Sequence, residues 1–175
     1  MSTTEFLAFI PLLIYGLGLT ILLGEWKRIF DPKEIFLPYT LMTLFLTEIM
    51  VYNVFIYERL IEKLAGLSYF HYLIFLISPI LFYLAVLVFT PEPGDKTKEH
   101  FIDRMPLFYV LIALLTATNF FYKLEESLYV SISRVVFIIV VIICGFTRKI
   151  WLTYVLIIMW LITLIFRGAI VSRGM

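Results

Sequence analysis

The residues of this chain whose types could do chemistry are two charges set inside long apolar stretches. Glu48 lies within the stretch 35–57, and Arg134 lies within the stretch 128–146. A charge at the centre of a membrane span costs about 2.5–3.5 kcal/mol on insertion scales, so each of them needs a partner. Glu48 is nine residues before the end of its stretch and Arg134 is six after the start of its own, which at about 1.5 Å per residue gives depths that differ by about 4–5 Å. This spacing predicts an ion pair between Glu48 and Arg134 in an intramembrane polar centre.

Further polar side chains fall in the same half of the predicted membrane as these charges. Tyr52 and Asn53 follow Glu48 in its stretch, and Asn119 lies near the end of the fourth stretch. If their helices adjoin, these side chains would line a cavity, where polar groups are tolerated inside a membrane. The alternative is ordinary hydrogen bonding between helices, worth about 0.6 kcal/mol per contact. For Glu48, three states stay open: a structural ion pair, a titrating or ion-binding group, and a protonated carboxylate without a partner.

The longest polar segment, 92–104, holds a second candidate site. His100 and Arg104 are four residues apart and would share one helical face, with Lys96 beneath them. Such a face could contact a lipid headgroup phosphate or a cytoplasmic partner. The alternative is a solvated turn from which Arg104 reaches toward water. We expect a short interfacial helix to begin at Thr97, with the apolar side chains of this segment facing lipid, namely those of Phe101 and Met105.

Catalytic signatures are missing from the sequence. It contains no Gly-rich phosphate loop, no H-E-x-x-H, no paired Asp motif and no G-x-S-x-G. The chain has 2 His, about thirty residues apart, so we expect no metal site and no other cofactor. It has 1 Cys, so we expect no internal disulfide. The net charge of +1 gives no basic field for a nucleic acid. We therefore expect a protein that is not an enzyme.

Composition and hydropathy predict the elements that hold these residues. The chain is 62% hydrophobic and 15% charged, against about 45–50% and about 25% in soluble domains. A span needs about 20 mainly apolar residues, and six stretches meet or approach that length: 6–23, 35–57, 69–89, 105–122, 128–146 and 150–166. The sequence thus predicts an all-α, single-domain integral membrane bundle over residues 1–175, with about six membrane-spanning helices and short loops.

The distribution of Lys and Arg predicts the orientation of these spans. The first, third and fifth connections carry eight of them: Lys27, Arg28, Lys33, Lys96, Lys98, Arg104, Arg148 and Lys149. The opposite side carries five: Arg59, Lys63, Lys123, Arg167 and Arg173. Because basic residues are retained in the cytoplasm, both termini are predicted to lie outside and the loop 92–104 in the cytoplasm.

Three stretches of the sequence carry a resemblance to known proteins: "YGLGLTILLG", "SPILFYLAVLVFTP" and "D…EHFIDR". The chain resembles a loose group of small bacterial inner-membrane proteins with six predicted helices and no assigned activity. In that group the stretches read L-G-L-G-[IL]-T, then Y-P…L-Y with F-P, then D…H-[YF]…R. The matching residues are Gly16, Gly18, Thr20, Pro79, Tyr83, Asp95, His100, Phe101 and Arg104. Two positions depart from the pattern: Thr90 stands before Pro91 in place of Phe, and Glu48 replaces an uncharged polar residue.

The sequence leaves several functions open. The first is an ion-conducting or small-solute-conducting bundle, or a ligand-sensing one, built around the polar centre. The alternatives are a structural or assembly subunit of a larger membrane complex and a membrane effector of a stress or defence system. The expected partners are the lipid bilayer and either a second copy of the chain or a membrane-complex partner. The resemblance implies the bacterial inner membrane and no particular reaction.

Overall fold

The computed structural model of the chain is a set of six α-helices. It describes residues 3–31, 35–64, 68–121 and 128–171, with side chains described at 7, 9–31, 35–55, 68–121, 128 and 131–165. The helices are α1 (Thr3–Ile29), α2 (Leu37–Leu64), α3 (Tyr69–Phe89), α4 (Thr97–Thr118), α5 (Leu128–Thr147) and α6 (Ile150–Val171). The all-α class predicted from the sequence is confirmed.

Three of the helices are long and apolar enough to cross a membrane. They are Phe9–Ile29 within α1, Tyr69–Phe89 and Thr97–Thr118. Among the described residues, Ser131–Thr147 and Ile150–Ile165 form apolar helices that are shorter than a span. The remaining helix, α2, is not among the candidate spans, and its apolar residues are interrupted by Glu48 and Asn53. The described residues of this helical membrane protein thus contain three candidate spans, fewer than the six predicted from hydropathy.

The helix predicted to begin at Thr97 does begin there, but the lipid-facing orientation predicted for Phe101 and Met105 is wrong. The hydropathy of the fourth stretch begins at Met105, whereas the helix begins at Thr97 and runs without a break through the polar segment. Phe101 and Met105 are 2% and 0% exposed, so they face the protein core and not lipid. Phe101 meets the ring of Phe89 edge-on, with 6.2 Å between ring centroids. The first turns of α4 therefore belong to the bundle itself.

The helices form a closed ring. α1 packs against α2 and α3, α4 packs against α3 and α5, and α6 contacts α5 and α2. The interior of the ring is filled by large side chains that are less than 2% exposed, among them Tyr15, Tyr39, Phe82, Phe89, Phe108 and Tyr109. Such an aromatic core removes much apolar area and fixes the helices by shape.

Glycines allow two of these helix pairs to approach closely. A Cβ added to Gly145 of α5 would stand 2.9 Å from Tyr109 Cβ and 3.4 Å from the Met105 carbonyl oxygen of α4. In α1, a Cβ on Gly18 would stand 2.8 Å from Phe82 Cε1 of α3, whereas one on Gly16 would meet nothing within 4 Å. Small residues allow close helix packing in membranes, and Gly145 and Gly18 serve that purpose here.

We expect Gly145→Ala to destabilise the protein by about 1–3 kcal/mol, because its new methyl group meets the backbone and Cβ atoms of α4, which cannot move aside. Gly16→Ala is the matched control and should be neutral or stabilising by up to about 1 kcal/mol, since Ala favours helix and the space is open. Thermal unfolding in detergent measures both. Equal midpoints for the two variants would contradict the close α4–α5 contact.

Candidate functional site

Glu48 is held by a tryptophan from the last helix. Trp160 Nε1 donates a hydrogen bond to Glu48 Oε2 at 2.8 Å, and both residues are half-buried. The Trp160 ring also meets Phe45 edge-on, with 5.4 Å between centroids and 88° between planes. The Trp160 indole thus contacts both Glu48 and Phe45, which lies one turn before Glu48 on α2. The contact joins α2 to α6 near the middle of both helices.

The chemistry of α2 explains why Glu48 takes a partner from another helix. Thr43 and Thr47 donate to carbonyl groups one turn earlier in α2, at 2.9 Å and 2.8 Å. Asn53 does the same, with Nδ2 at 2.7 Å from the Ile49 carbonyl oxygen. A carboxylate cannot do so, because it only accepts and the amide hydrogens in mid-helix are already bonded. Glu48 therefore requires a donor side chain from outside α2.

Arg134 lies level with Glu48 but has a different neighbour. Its Cζ atom is 6.0 Å from the centroid of the Phe120 ring, at the end of α4, which is the outer limit of a cation–π contact. Among the ion pairs of the described residues, none joins Arg134 to Glu48. The structure therefore gives Glu48 a neutral donor, Trp160, instead of the predicted ionic partner.

A small apolar cavity fixes the relative depth of the two charges. It is lined by Met42, Phe45, Tyr109, Ile112, Phe137, Val141, Leu156 and Ile157. Glu48 is three residues beyond Phe45 on α2, and Arg134 is three residues before Phe137 on α5. Because α2 and α5 run in opposite directions, both steps lead toward the same end of the bundle by about 4–5 Å. The two charges thus belong to one layer just beyond the cavity.

The other residues of the predicted polar centre are placed in different ways. Tyr52 is half-buried one turn beyond Glu48 on α2. Asn53 bonds within α2, and Asn119 Nδ2 donates to the Thr116 carbonyl oxygen at 3.2 Å, where α4 ends. The two asparagines therefore satisfy the backbone of their own helices. Trp160 is the residue that the sequence prediction missed; its position in mid-stretch, away from both predicted membrane surfaces, is the signal that could have identified it.

The second predicted site forms part of the connection between α3 and α4. His100 Nε2 donates to the Val88 carbonyl oxygen at 3.1 Å, and Nδ1 lies 3.5 Å from Asp95 Oδ2. Lys96 pairs at the surface with Glu99 at 2.9 Å, and Arg104 is exposed. The imidazole thus ties the first turn of α4 to the last turn of α3. Lys96 and Arg104 are the members that remain at the surface.

A buried polar cluster at the same end escaped sequence reasoning. Tyr39 Oη donates to Glu25 Oε2 at 2.9 Å, and Arg28 Nε lies 2.9 Å from the same oxygen. Glu25 is 7% exposed, and the Tyr39 ring stacks on Phe89 with 4.4 Å between centroids. Glu25 and Arg28 are one turn apart at the end of α1, a spacing that favours an ion pair. The cluster pins the end of α1 to the start of α2.

Comparison of the chain with protein-family models, with curated proteins and with solved structures finds no match. Across the residues that the structure describes, no three His, Cys, Asp or Glu side chains are grouped so that they could hold a metal ion.

We expect Trp160→Phe to destabilise the protein by about 1–3 kcal/mol, because it keeps an aromatic ring but leaves the Glu48 carboxylate without its donor. In a Glu48→Leu background, Trp160→Phe should lower the free energy of unfolding by clearly less. The difference between the two losses is the coupling energy of Glu48 and Trp160. Trp151→Phe, at an exposed tryptophan of α6, is the matched control. Thermal unfolding of the four proteins in detergent measures the coupling.

A parallel cycle with Arg134→Gln tests the ion pair predicted from the sequence. If the stability losses of Glu48→Leu and Arg134→Gln add, while those of Glu48→Leu and Trp160→Phe do not, then Trp160 is the partner of Glu48. Coupling that is stronger with Arg134 would contradict this assignment.

Proposed function

We propose that this protein is a six-span integral membrane protein that binds a small cation or cationic solute at Glu48, as a sensor or carrier of that solute. The observation that carries the proposal is the single hydrogen bond from Trp160 to a half-buried carboxylate. An indole N–H is a neutral donor, so it leaves the negative charge of the carboxylate uncompensated. A carboxylate at this depth is costly and marks a functional position.

The packing of the bundle favours binding over open conduction. On the side of the cavity away from Glu48, the interior is filled by Tyr109, Phe108 and Phe89, each 2% exposed or less. Tyr109 is held by a 2.9 Å hydrogen bond between its hydroxyl group and that of Thr153. A solute that reaches Glu48 thus meets a packed aromatic core ahead of it. Passage would require a rearrangement of the helices, as in a carrier.

The six-span arrangement is supported by the lengths and surfaces of the remaining helices. α2, α5 and α6 contain 28, 20 and 22 residues, or about 30 Å and more at 1.5 Å per residue, which matches the hydrocarbon core. The outer faces of α5 and α6 are apolar, with exposed residues that include Val135, Ile139, Ile142, Ile158 and Ile162. The resemblance described above and the Lys/Arg count support the inner membrane, with both termini outside. We further propose that the protein is not an enzyme.

The binding proposal is tested with defined cations. Sodium, potassium and methylammonium chlorides are added to the purified protein at constant ionic strength. We expect one of them to stabilise the protein increasingly with its concentration, by about 1.4 kcal/mol at ten times the dissociation constant, which raises Tm by about 3–6 °C. Glu48→Gln should abolish the effect, because it removes the charge and keeps the shape. Glu92→Gln, at an exposed carboxylate, is the control.

Flux measurements decide between a carrier, a sensor and the rival class. Labelled forms of the same cations are offered to proteoliposomes, and uptake that requires Glu48 identifies a carrier. Saturable binding without uptake identifies a sensor. If none of the cations stabilises the protein, and one membrane protein always co-purifies with it, the cation proposal is wrong. The chain is then a structural or assembly subunit of a membrane complex.

The orientation is tested by labelling single cysteines in a Cys144→Ala background. We expect Glu92→Cys, in the exposed α3–α4 turn, to resist an impermeant thiol reagent added to intact cells, because the Lys/Arg count places that turn in the cytoplasm. Ser68→Cys, exposed at the start of α3, should react. The opposite labelling pattern would reverse the proposed orientation.

A further inference from the structure

Three hydrogen-bond donors are buried without an acceptor at the end of the bundle opposite to the Glu48 layer. In the described part of the chain, Trp26 Nε1, Thr90 Oγ1 and Thr97 Oγ1 are enclosed and have no hydrogen-bond partner. Thr97 as a whole is only 6% exposed. Buried polar groups are hydrogen-bonded in the great majority of cases, so three such donors require an explanation.

Helical periodicity places Trp26 on the side of α1 that packs against α3. Earlier in α1, the Tyr15 hydroxyl group lies 3.0 Å from Ser78 Oγ of α3. Trp26 is eleven residues after Tyr15, which is close to three full helical turns, so both side chains point the same way. The same step on α3 leads from Ser78 to Phe89, beside Thr90. The Trp26 indole therefore faces the end of α3.

The packing of α4 brings Thr97 to the same place. Thr97 lies one turn before Phe101 and on the same face of α4. Phe101 meets the rings of Phe89 and Tyr39 edge-on, at 6.2 Å and 6.4 Å between centroids. Thr97 therefore faces the end of α3 and the turn that follows it. The three donors come from α1, the end of α3 and the start of α4.

We propose that these three donors form a site for phosphate oxygens, supplied by a phospholipid headgroup or by free phosphate. A phosphate group accepts several hydrogen bonds at once, so it suits three donors that lie at one end of the bundle without an acceptor. The start of α4 adds free amide hydrogens and the positive end of the helix dipole, and no side chain caps it. α3 and α4 are both candidate spans, so the turn between them lies at the level of the headgroups.

The neighbouring charges leave the three donors available to a ligand. The Glu25 carboxylate is already bonded by Tyr39 and lies beside Arg28, so it does not take up the orphan donors. The α3–α4 turn joins Thr90 to Thr97, and its residues 92–96 are all exposed. This site is independent of the function proposed for Glu48.

A variant with Trp26 as its single tryptophan reports binding directly. The chain has 3 Trp, so the substitutions Trp151→Phe and Trp160→Phe leave Trp26 alone. The detergent-purified variant is titrated with dihexanoyl phosphatidylglycerol, with dihexanoylglycerol, which lacks phosphate, and with sodium phosphate. We expect a saturable change in Trp26 emission with the phospholipid and none with dihexanoylglycerol. An equal response to sodium phosphate identifies free phosphate as the ligand, and a response to the phospholipid alone identifies the headgroup.

Substitutions of the threonines separate binding from folding. Thr90→Val and Thr97→Val delete hydroxyl groups that have no partner, so both variants should unfold at or above the temperature of the parent. Each should weaken phosphate binding by about tenfold, the equivalent of 1.4 kcal/mol. Thr147→Val is the matched control, since Thr147 is exposed and donates to its own helix at 2.7 Å. An unchanged affinity in the Thr90→Val/Thr97→Val double variant would overturn the proposal.

An independent count of bound lipid completes the test without tryptophan fluorescence. Native mass spectrometry of the full chain should show one retained phospholipid that is lost or reduced in Trp26→Phe and kept in Trp151→Phe. If no phosphate-bearing compound gives a saturable response and no phospholipid is retained, the proposal is wrong.

Discussion

The cost of an unmatched polar group in an apolar bundle is the constraint on which this structure depends. Most of the threonines within the helices meet it locally, by donating to a carbonyl group one turn earlier, as Thr20, Thr43 and Thr116 do at 2.9 Å. Such bonds satisfy the hydroxyl group without tying the helix to a neighbour. The side chains that cannot bond locally decide which helices meet.

Several of those remaining side chains form hydrogen bonds from one helix to another. Tyr15 bonds to Ser78 between α1 and α3, Tyr109 bonds to Thr153 between α4 and α6, and Trp160 bonds to Glu48 between α6 and α2. The α4–α5 pair relies instead on close approach at Gly145. Polar contacts of this kind are worth little individually in a membrane. Their value lies in fixing the rotation of each helix about its axis, which apolar packing alone leaves loosely determined.

This division explains what the sequence could predict. Apolar stretches depend on composition, so the six helices could be located, although α4 starts eight residues before its apolar stretch because its polar first turns are also packed. The depth of Glu48 and of Arg134 followed from counting residues along a helix. The partner of Glu48 could not be found in this way, because the depth of a residue does not show which helix face lies next to it. The Glu25–Tyr39 contact joins a residue just beyond the stretch 6–23 to one inside the stretch 35–57, a pairing that hydropathy does not indicate.

The buried carboxylate of Glu25 and the half-buried one of Glu48 differ in how their charge is balanced. Glu25 has Arg28 at 2.9 Å and the Tyr39 hydroxyl group on the same oxygen, so its charge is matched inside the protein. Glu48 has one neutral donor, Trp160. A carboxylate so placed is stabilised by whatever positive charge reaches it, whether a proton, a solute cation or Arg134 from the same layer. In the proposed function the charge of Glu48 is balanced by a ligand that can come and go, whereas the charge of Glu25 is balanced by residues of the protein itself.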